Sequence, residues 1–193
     1  MPGPSGDPGE RLRIRDADPA GDAAACAEIY APHVEGSAVS FDELAPDAAA
    51  MGERIERVTA THAWLVAERE GQVVGYAYGY PFQQRPAYRW TVGVSVYVAE
   101  GEHGRGVGRA LYAALFDRLR ERGYRMAHAG ITLPNPASVA LHESLGFEQV
   151  GVNREIGWKN GAWRDVGWWQ LELAPAGEGP PAEPLSAKGL RDA

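Results

Sequence analysis

The chain has a single cysteine, Cys26, so no disulfide can form within it, and nothing in its composition calls for an oxidising compartment. It has no run of 18 apolar residues, and its first residues, Met1-Pro2-Gly3-Pro4-Ser5-Gly6-Asp7-Pro8, carry no apolar stretch of the signal-peptide kind. A soluble cytoplasmic protein with no membrane partner is expected. A basic excess is missing too: at a net charge of −7 and a sequence pI near 5.3, the chain has no broad positive face for nucleic acid. No internal repeat is present, and 193 residues are enough for one domain with a full core but not for two of ordinary size. One site is therefore to be sought. Cys26 lies among alanines and reads as a small buried apolar residue.

What the chain does have is concentrated between Arg89 and Arg122. Trp90 to Val98 alternates with period two, which puts Trp90, Val92, Val94, Val96 and Val98 on one face of a strand and Thr91, Gly93, Ser95 and Tyr97 on the other. The turn Gly101-Glu102-His103-Gly104-Arg105-Gly106-Val107-Gly108 follows. Its alternate glycines clear side chains from the backbone, and the amides of the helix that opens there point toward negative charge. The helix buries Val107, Leu111, Leu115 and Leu119, widened by Ala110, Ala114 and Phe116, and keeps Arg109, Asp117, Arg118, Arg120 and Glu121 in water. No Lys-Ser or Lys-Thr closes the turn, as a triphosphate loop requires. A dinucleotide turn would need its third glycine where Arg109 stands, and Met126 to Leu133 supplies no ribose-binding acid. On these residues alone the turn either holds a phosphorylated ligand or is only a tight strand-to-helix connection.

The rest of the chain reads as a mixed α/β domain over 11–173, between Pro/Gly-rich ends at 1–10 and 174–193 that are expected to be disordered. Leu12-Arg13-Ile14 is a short strand, Asp18-Pro19 a helix start, and Ala23 to Tyr30 a helix closed near Pro32. After the loop His33 to Pro46, Asp47 caps a helix that buries Met51, Ile55 and Val58. Trp64 to Glu68 and Val73 to Tyr80 form a hairpin about Glu70-Gly71, and Pro81 to Pro86 loops back to the central strand. Beyond the central helix come the strand Met126 to Leu133, a short helix Ala137 to Leu145 stopped by Gly146, and a hairpin from Phe147 to Leu173 turning at Asn160-Gly161.

The turn His103-Gly104-Arg105-Gly106-Val107-Gly108 resembles the Q/R-x-x-G-x-G/A signature of the GNAT acetyltransferases, and Asn135-Pro136-Ala137-Ser138 with Leu141-His142 and Gly146-Phe147 is similar to that superfamily's second motif. Trp90-Thr91-Val92, Val96-Tyr97-Val98, Leu141-His142-Glu143 and Lys159-Asn160-Gly161-Ala162-Trp163-Arg164-Asp165-Val166-Gly167 narrow the likeness to the phosphinothricin and methionine sulfoximine acetyltransferase branch, over residues 12–173. The resemblance implies a single GNAT-like domain with a central, mostly antiparallel sheet flanked by helices and a C-terminal hairpin. It implies acetyl-CoA as co-substrate, no metal, and direct transfer to the amine of a small amino-acid-like acceptor, commonly by a homodimer. Carried over residue by residue, Val96, Tyr97 and Val98 would hold the thioester end of acetyl-CoA. His103, Gly104, Arg105, Gly106, Val107, Gly108 and Arg109 would hold its pyrophosphate, with Asn135 and Ser138 on its arm. Asn135 and Ser138 could equally cap the short helix. His142 would be the proton donor to the departing thiolate, since an imidazole titrates near neutrality; without the motif it would read as a buried helical histidine.

The sequence departs from the branch at Gly93, where the branch has a glutamate read as the general base. General-base assistance contributes roughly 10²- to 10⁴-fold, so its loss slows transfer to an ordinary amine rather than abolishing it. Gly93 thus points to a less basic amine, to a base from elsewhere (Glu35, Asp42 and Glu43 in the loop His33 to Pro46 are the options), or to a non-catalytic CoA-binding sensor. It would also leave room for a larger acceptor. Phe41, Arg85 and Tyr88 match the branch's substrate loops, with Arg85 able to take a carboxylate bidentately or to stay a solvated loop residue. Trp158, Trp163, Trp168 and Trp169 read first as core, alternatively as a pocket wall or dimer interface.

Overall fold

The computed structural model describes residues 11–185. The N-terminal ten residues and those from 186 onward, both expected to be disordered, lie outside the described residues. Seven strands form one sheet in the order β1-β2-β3-β4-β5-β7-β6. These are β1 (Arg13–Asp16), β2 (Trp64–Arg69), β3 (Gln72–Pro81), β4 (Thr91–Val98), β5 (Met126–Leu133), β6 (Glu148–Lys159) and β7 (Ala162–Glu172). All neighbours are antiparallel except β4 and β5, because the helix α3 (Val107–Glu121) carries the chain across between them. The two tight hairpins fall where the sequence put them: Glu70-Gly71 and Asn160-Gly161 each hold two successive residues at positive φ, as a primed turn requires.

The alternation in β4 sorts the core into two layers. Val92 and Val94 face Leu111, Tyr112, Leu115, Phe116 and Leu119 of α3, with Ala127, Ala129, Ile131 and Trp169 beside them on the same face. The opposite face is covered by α1 (Ala23–Glu35) and α2 (Ala48–Thr59), which bury Cys26, Tyr30, Met51 and Ile55 against Trp64, Val66, Tyr76 and Tyr78. The fourth helix, α4 (Pro136–Ser144), lies beside α3, with Val139 and Leu141 against the first layer. Asp47 caps α2 by accepting from Ala50 N at 2.8 Å, as expected.

Four details differ from the sequence reading. Helix α1 begins at Ala23 rather than at Asp18: Asp22 is drawn into a two-pronged bond with Arg15, whose Nε also meets Glu68 at 2.8 Å, so strand, helix start and neighbouring strand are tied at one point. The helix also passes through Pro32 to Glu35, its last turn closing with Gly36 N donating to Pro32 O at 3.0 Å. The tail beyond Ala174 is not free over its described length. Trp90 Nε1 donates to Ala182 O at 2.7 Å, Arg89 pairs with Glu183, and Leu185 N donates to Arg122 O at 2.9 Å. A Pro-rich segment cannot build its own ladder, but its carbonyls can be satisfied by donors on the body of the domain. Finally, of the four hairpin tryptophans only Trp169 enters the core; Trp158 and Trp163 are more than half exposed and meet edge to face at 5.4 Å.

Candidate functional site

Strands β4 and β5 stay paired only at Thr91–Met126, Val92–Ala127 and Gly93–His128. Beyond that point β4 continues with Val94 to Val98 bonded to β3 on one side, while β5 continues along β7. The strands part, and the backbone groups of β4 that would have met β5 are left without a strand partner. A narrow cleft of about 60 Å³ fills the parting, lined by Ser95, Val96, Tyr97, Thr132, Asn135, Ser138, Tyr112 and His142 among others. Parting is what lets one strand be core by its side chains and still offer amides to a ligand.

At the end of β4 the chain enters the glycine turn. Gly104 and Gly106 sit at φ of +74° and +80°, with nothing within 4 Å of where a Cβ would stand, so the turn is open on its outer side. Gly106 occupies the N-cap of α3, and no side chain caps the first helical amides. An uncapped helix start reached through bare backbone is suited to an anion, and phosphate is the common one. His103, Gly104, Arg105 and Arg109 are all exposed around it. Arg105 rests on Glu102 at 2.7 Å, Arg109 on Ser144 Oγ at 2.7 Å, and His103 Nε2–H donates to the Val98 carbonyl at 3.0 Å, fixing the strand end to the turn. These residues fit a pyrophosphate-bearing carrier.

His142 is buried on α4, and its proton can be assigned from its partners. Nδ1 lies 2.7 Å from the Ser138 carbonyl, which can only accept, so Nδ1 carries the hydrogen. Burial lowers its pKa, opposed by that bond to Ser138, so the ring is neutral and Nε2 accepts from Tyr112 O–H at 3.0 Å. Ser138 also sets its hydroxyl 3.4 Å from Nδ1, and Asn135 caps α4 by accepting from Ser138 N at 3.1 Å. The neutral imidazole therefore has no hydrogen on the nitrogen that faces Tyr112; the hydrogen in that pair belongs to the phenol. Tyr112 was not singled out from the sequence because it sits in the apolar stripe of α3, between Leu111 and Leu115, and only the packing of α4 against α3 brings it to His142. Its phenol is held well above its ordinary pKa by burial.

On the α1/α2 side of the sheet, the parting opens among aromatic rings. Gly93 is not an empty position: a Cβ there would come closer than 3.0 Å to three carbons of the Tyr80 ring. The room that glycine was expected to leave for a larger acceptor is taken up by Tyr80, directly opposite on β3. Of the substitute bases, Asp42 accepts from Tyr30 O–H at 2.8 Å and meets Arg54 at 3.3 Å, which ties its carboxylate into the loop, while Glu35 and Glu43 are exposed. Arg54 sets its guanidinium 5.5 and 5.7 Å from the rings of Tyr30 and Tyr78, placing a cation on this face. Arg85 does not come to the cleft; it lines a separate hollow with Gln83, Pro86, Tyr124 and Glu183. Tyr88 borders that hollow too, but its ring edge meets Phe82 at 6.2 Å, and Phe82 in turn stacks on His128 at 4.3 Å. Phe41 lies over Gly157 at the bulge of β6, and Lys159 Nζ donates to the Asp42 carbonyl, so the loop after α1 is fastened to the C-terminal hairpin.

Fold and site together define an acyl-group transferase fed by a phosphorylated carrier. The chain belongs to the acetyltransferase (GNAT) family, whose model matches residues 26–147. It is 38% identical to the phosphinothricin N-acetyltransferase of Streptomyces viridochromogenes over 175 residues, which cover 91% of this chain and 95% of that protein. It is 37% identical to the L-methionine sulfoximine/L-methionine sulfone acetyltransferase of Salmonella typhimurium, covering 84% of this chain and 95% of the relative. Among solved structures, a phosphinothricin acetyltransferase from Sinorhizobium meliloti in complex with AcCoA superposes with a TM-score of 0.84 at 35% identity, over 89% of this chain and 94% of that one.

Proposed function

We propose that this protein moves the acetyl group of acetyl-CoA directly to the amine of a small amino-acid-like substrate of the phosphinothricin or methionine sulfoximine type. The observation that carries the reading is the parting of β4 from β5 just beyond Gly93, which opens a cleft beside the stretch of β4 that leads into the open glycine turn. In this reading the amides of Val96, Tyr97 and Val98 hold the thioester end, and His103 to Arg109 hold the pyrophosphate against the start of α3. Asn135 and Ser138 border the arm of the carrier and hold α4, and through it His142, in place. The departing thiolate takes its proton from Tyr112 O–H, the phenolate regains one from solvent, and His142 positions the phenol through their 3.0 Å bond. Phe41 and Tyr88 border the acceptor, and Arg54, rather than Arg85, supplies positive charge for its carboxylate. The relatives named above act on amino-acid analogues of this kind, which supports the acceptor class.

Thiol release from acetyl-CoA, followed over a panel of amines including phosphinothricin, methionine sulfoximine and methionine sulfone, tests the assignment. Turnover should be highest on one of these three; tight acetyl-CoA binding with no turnover on any amine would leave only a CoA-binding protein.

The β6–β7 hairpin exposes Val150, Val152, Ile156, Trp158 and Trp163, and the strand register puts Val152, Trp158 and Trp163 on one face. We propose that a second copy of the chain covers this face in a homodimer, since a stripe of large apolar side chains on an edge strand is otherwise an aggregation surface. Sedimentation should give twice the chain mass, and Trp158→Glu should shift it to the monomer; a wild-type monomer would rule the dimer out. Among the described residues no helix is long and apolar enough to cross a membrane, and with Cys26 buried and free the cytoplasm is the compartment we infer.

A further inference from the structure

The position left without a carboxylate has a neighbour on each side. Tyr80, Gly93 and His128 are in register across β3, β4 and β5. In-register residues on adjacent strands project to the same face, so the three form one row, and its middle member has no side chain. The face is the α1/α2 face: Ala127 and Ala129, on either side of His128, both point into the other layer. We propose that His128 is the general base of the transfer, acting from β5 in place of a carboxylate at Gly93. The proposal rests on the acetyltransferase reading above.

Geometry and chemistry both support it. The His128 ring is half-buried and stacked on Phe82 at 4.3 Å and 24°, which fixes its plane, and among the described residues neither ring nitrogen has a hydrogen-bond partner. An imidazole held by one face with both nitrogens unused is poised for a ligand rather than for structure. It belongs to the last β4–β5 pair, beyond which the two strands part. The groups in its row are Tyr80 from β3, Gln170 from β7 and, one strand further out, the exposed Glu148 of β6; Tyr88 lies beyond Phe82, with Trp168 closing the Phe82 side at 5.9 Å. The side chains nearest in the row, Gln170 and Tyr80, are neutral, the Tyr80 phenol being pushed up to about 12 by burial and then by Tyr78. Burial lowers the pKa of His128, so it is neutral at pH 7 and able to accept.

The step balances. Neutral His128 takes one proton from the acceptor ammonium; the freed lone pair attacks the thioester carbonyl carbon; the C–S bond breaks with its electron pair on sulfur. The nitrogen sheds a second proton as the amide forms. Of the two protons lost, one is matched by the proton taken up by the thiolate and the other passes to solvent.

The test uses the full-length protein. The His128 pKa is read by NMR of histidine-labelled enzyme, and kcat/KM for the acceptor is followed against pH for wild type, His128→Gln and His128→Phe, the last keeping the stack on Phe82. The acidic limb of the wild-type profile should fall at the NMR pKa of His128 and be absent in both variants. Acceptor kcat/KM near pH 7 should drop by roughly 10²- to 10⁴-fold, with acetyl-CoA affinity unchanged. Persistence of the limb in His128→Gln, or a drop below about threefold in both variants, would make His128 a pocket wall and overturn the proposal alone. A wild type that turns over no amine would overturn the acetyltransferase reading and this proposal with it.

Discussion

Replacing His142 with alanine should lower kcat by about 10²- to 10⁴-fold while acetyl-CoA affinity changes by less than about threefold, the pattern of an interaction made only in the transition state. The structure gives a reason to test its partner as well. Because Nδ1 is committed to the Ser138 carbonyl, the His142 ring can only receive from Tyr112, and the phenolic hydrogen is the mobile one. Tyr112→Phe keeps the ring packed on Phe116 at 5.1 Å and removes that hydrogen alone. It should reproduce most of the kcat loss of His142→Ala, and the double variant should be little worse than either, since two groups on one proton path are not additive. Equal losses in kcat and in acetyl-CoA affinity would make the pair a structural part of the cleft instead. Full activity in Tyr112→Phe would return the donor role to His142 by itself.

Restoring a glutamate at Gly93 should inactivate the enzyme rather than improve it. The new side chain would have to enter the volume of the Tyr80 ring, and overfilling a packed site costs typically 1–3 kcal/mol, to which a carboxylate among tyrosines adds a desolvation cost. Gly93→Glu should therefore lose about 3 kcal/mol or more, a fall in Tm of roughly 10 °C for a chain of this length. Tyr80→Gly by itself should open a hole, and Tyr80→Gly combined with Gly93→Glu should recover most of the stability lost in Gly93→Glu. The coupling is measured as a double-mutant cycle in Tm and acceptor kcat/KM. If Gly93→Glu alone were as stable as wild type, the two positions would not compete for space. If it were also faster, His128 would have no call on the base role.

Much of the fold was legible because it is local. Period-two alternation in Trp90 to Val98, the Asp47 cap and the two Xaa-Gly turns are each written in a few adjacent residues, and each stands where expected. So does the glycine turn, since its open backbone depends only on having no side chains. What misled was likewise local. Pro32 reads as a stop, yet the helix passes through it to Glu35. The tail reads as disordered, yet Ala182 and Glu183 find donors at Trp90 and Arg89, about 90 residues earlier. Arg85 could be read either as a carboxylate partner or as a solvated loop residue, and the chain places it in a hollow apart from the cleft.

Periodicity and glycine at fixed spacings are enough to dictate a GNAT-type sheet with an open glycine turn at the head of its central helix. What stands beside Gly93 and His142 is settled by tertiary contacts. Tyr80, Gly93 and His128 are separated by 13 and 35 positions in sequence and become a row only when β3, β4 and β5 pair in register. Tyr112 and His142 meet only because α4 packs on α3. Side chains from distant strands and helices share a site by virtue of strand register and helix packing, and neither quantity can be read from the residues around any one of them.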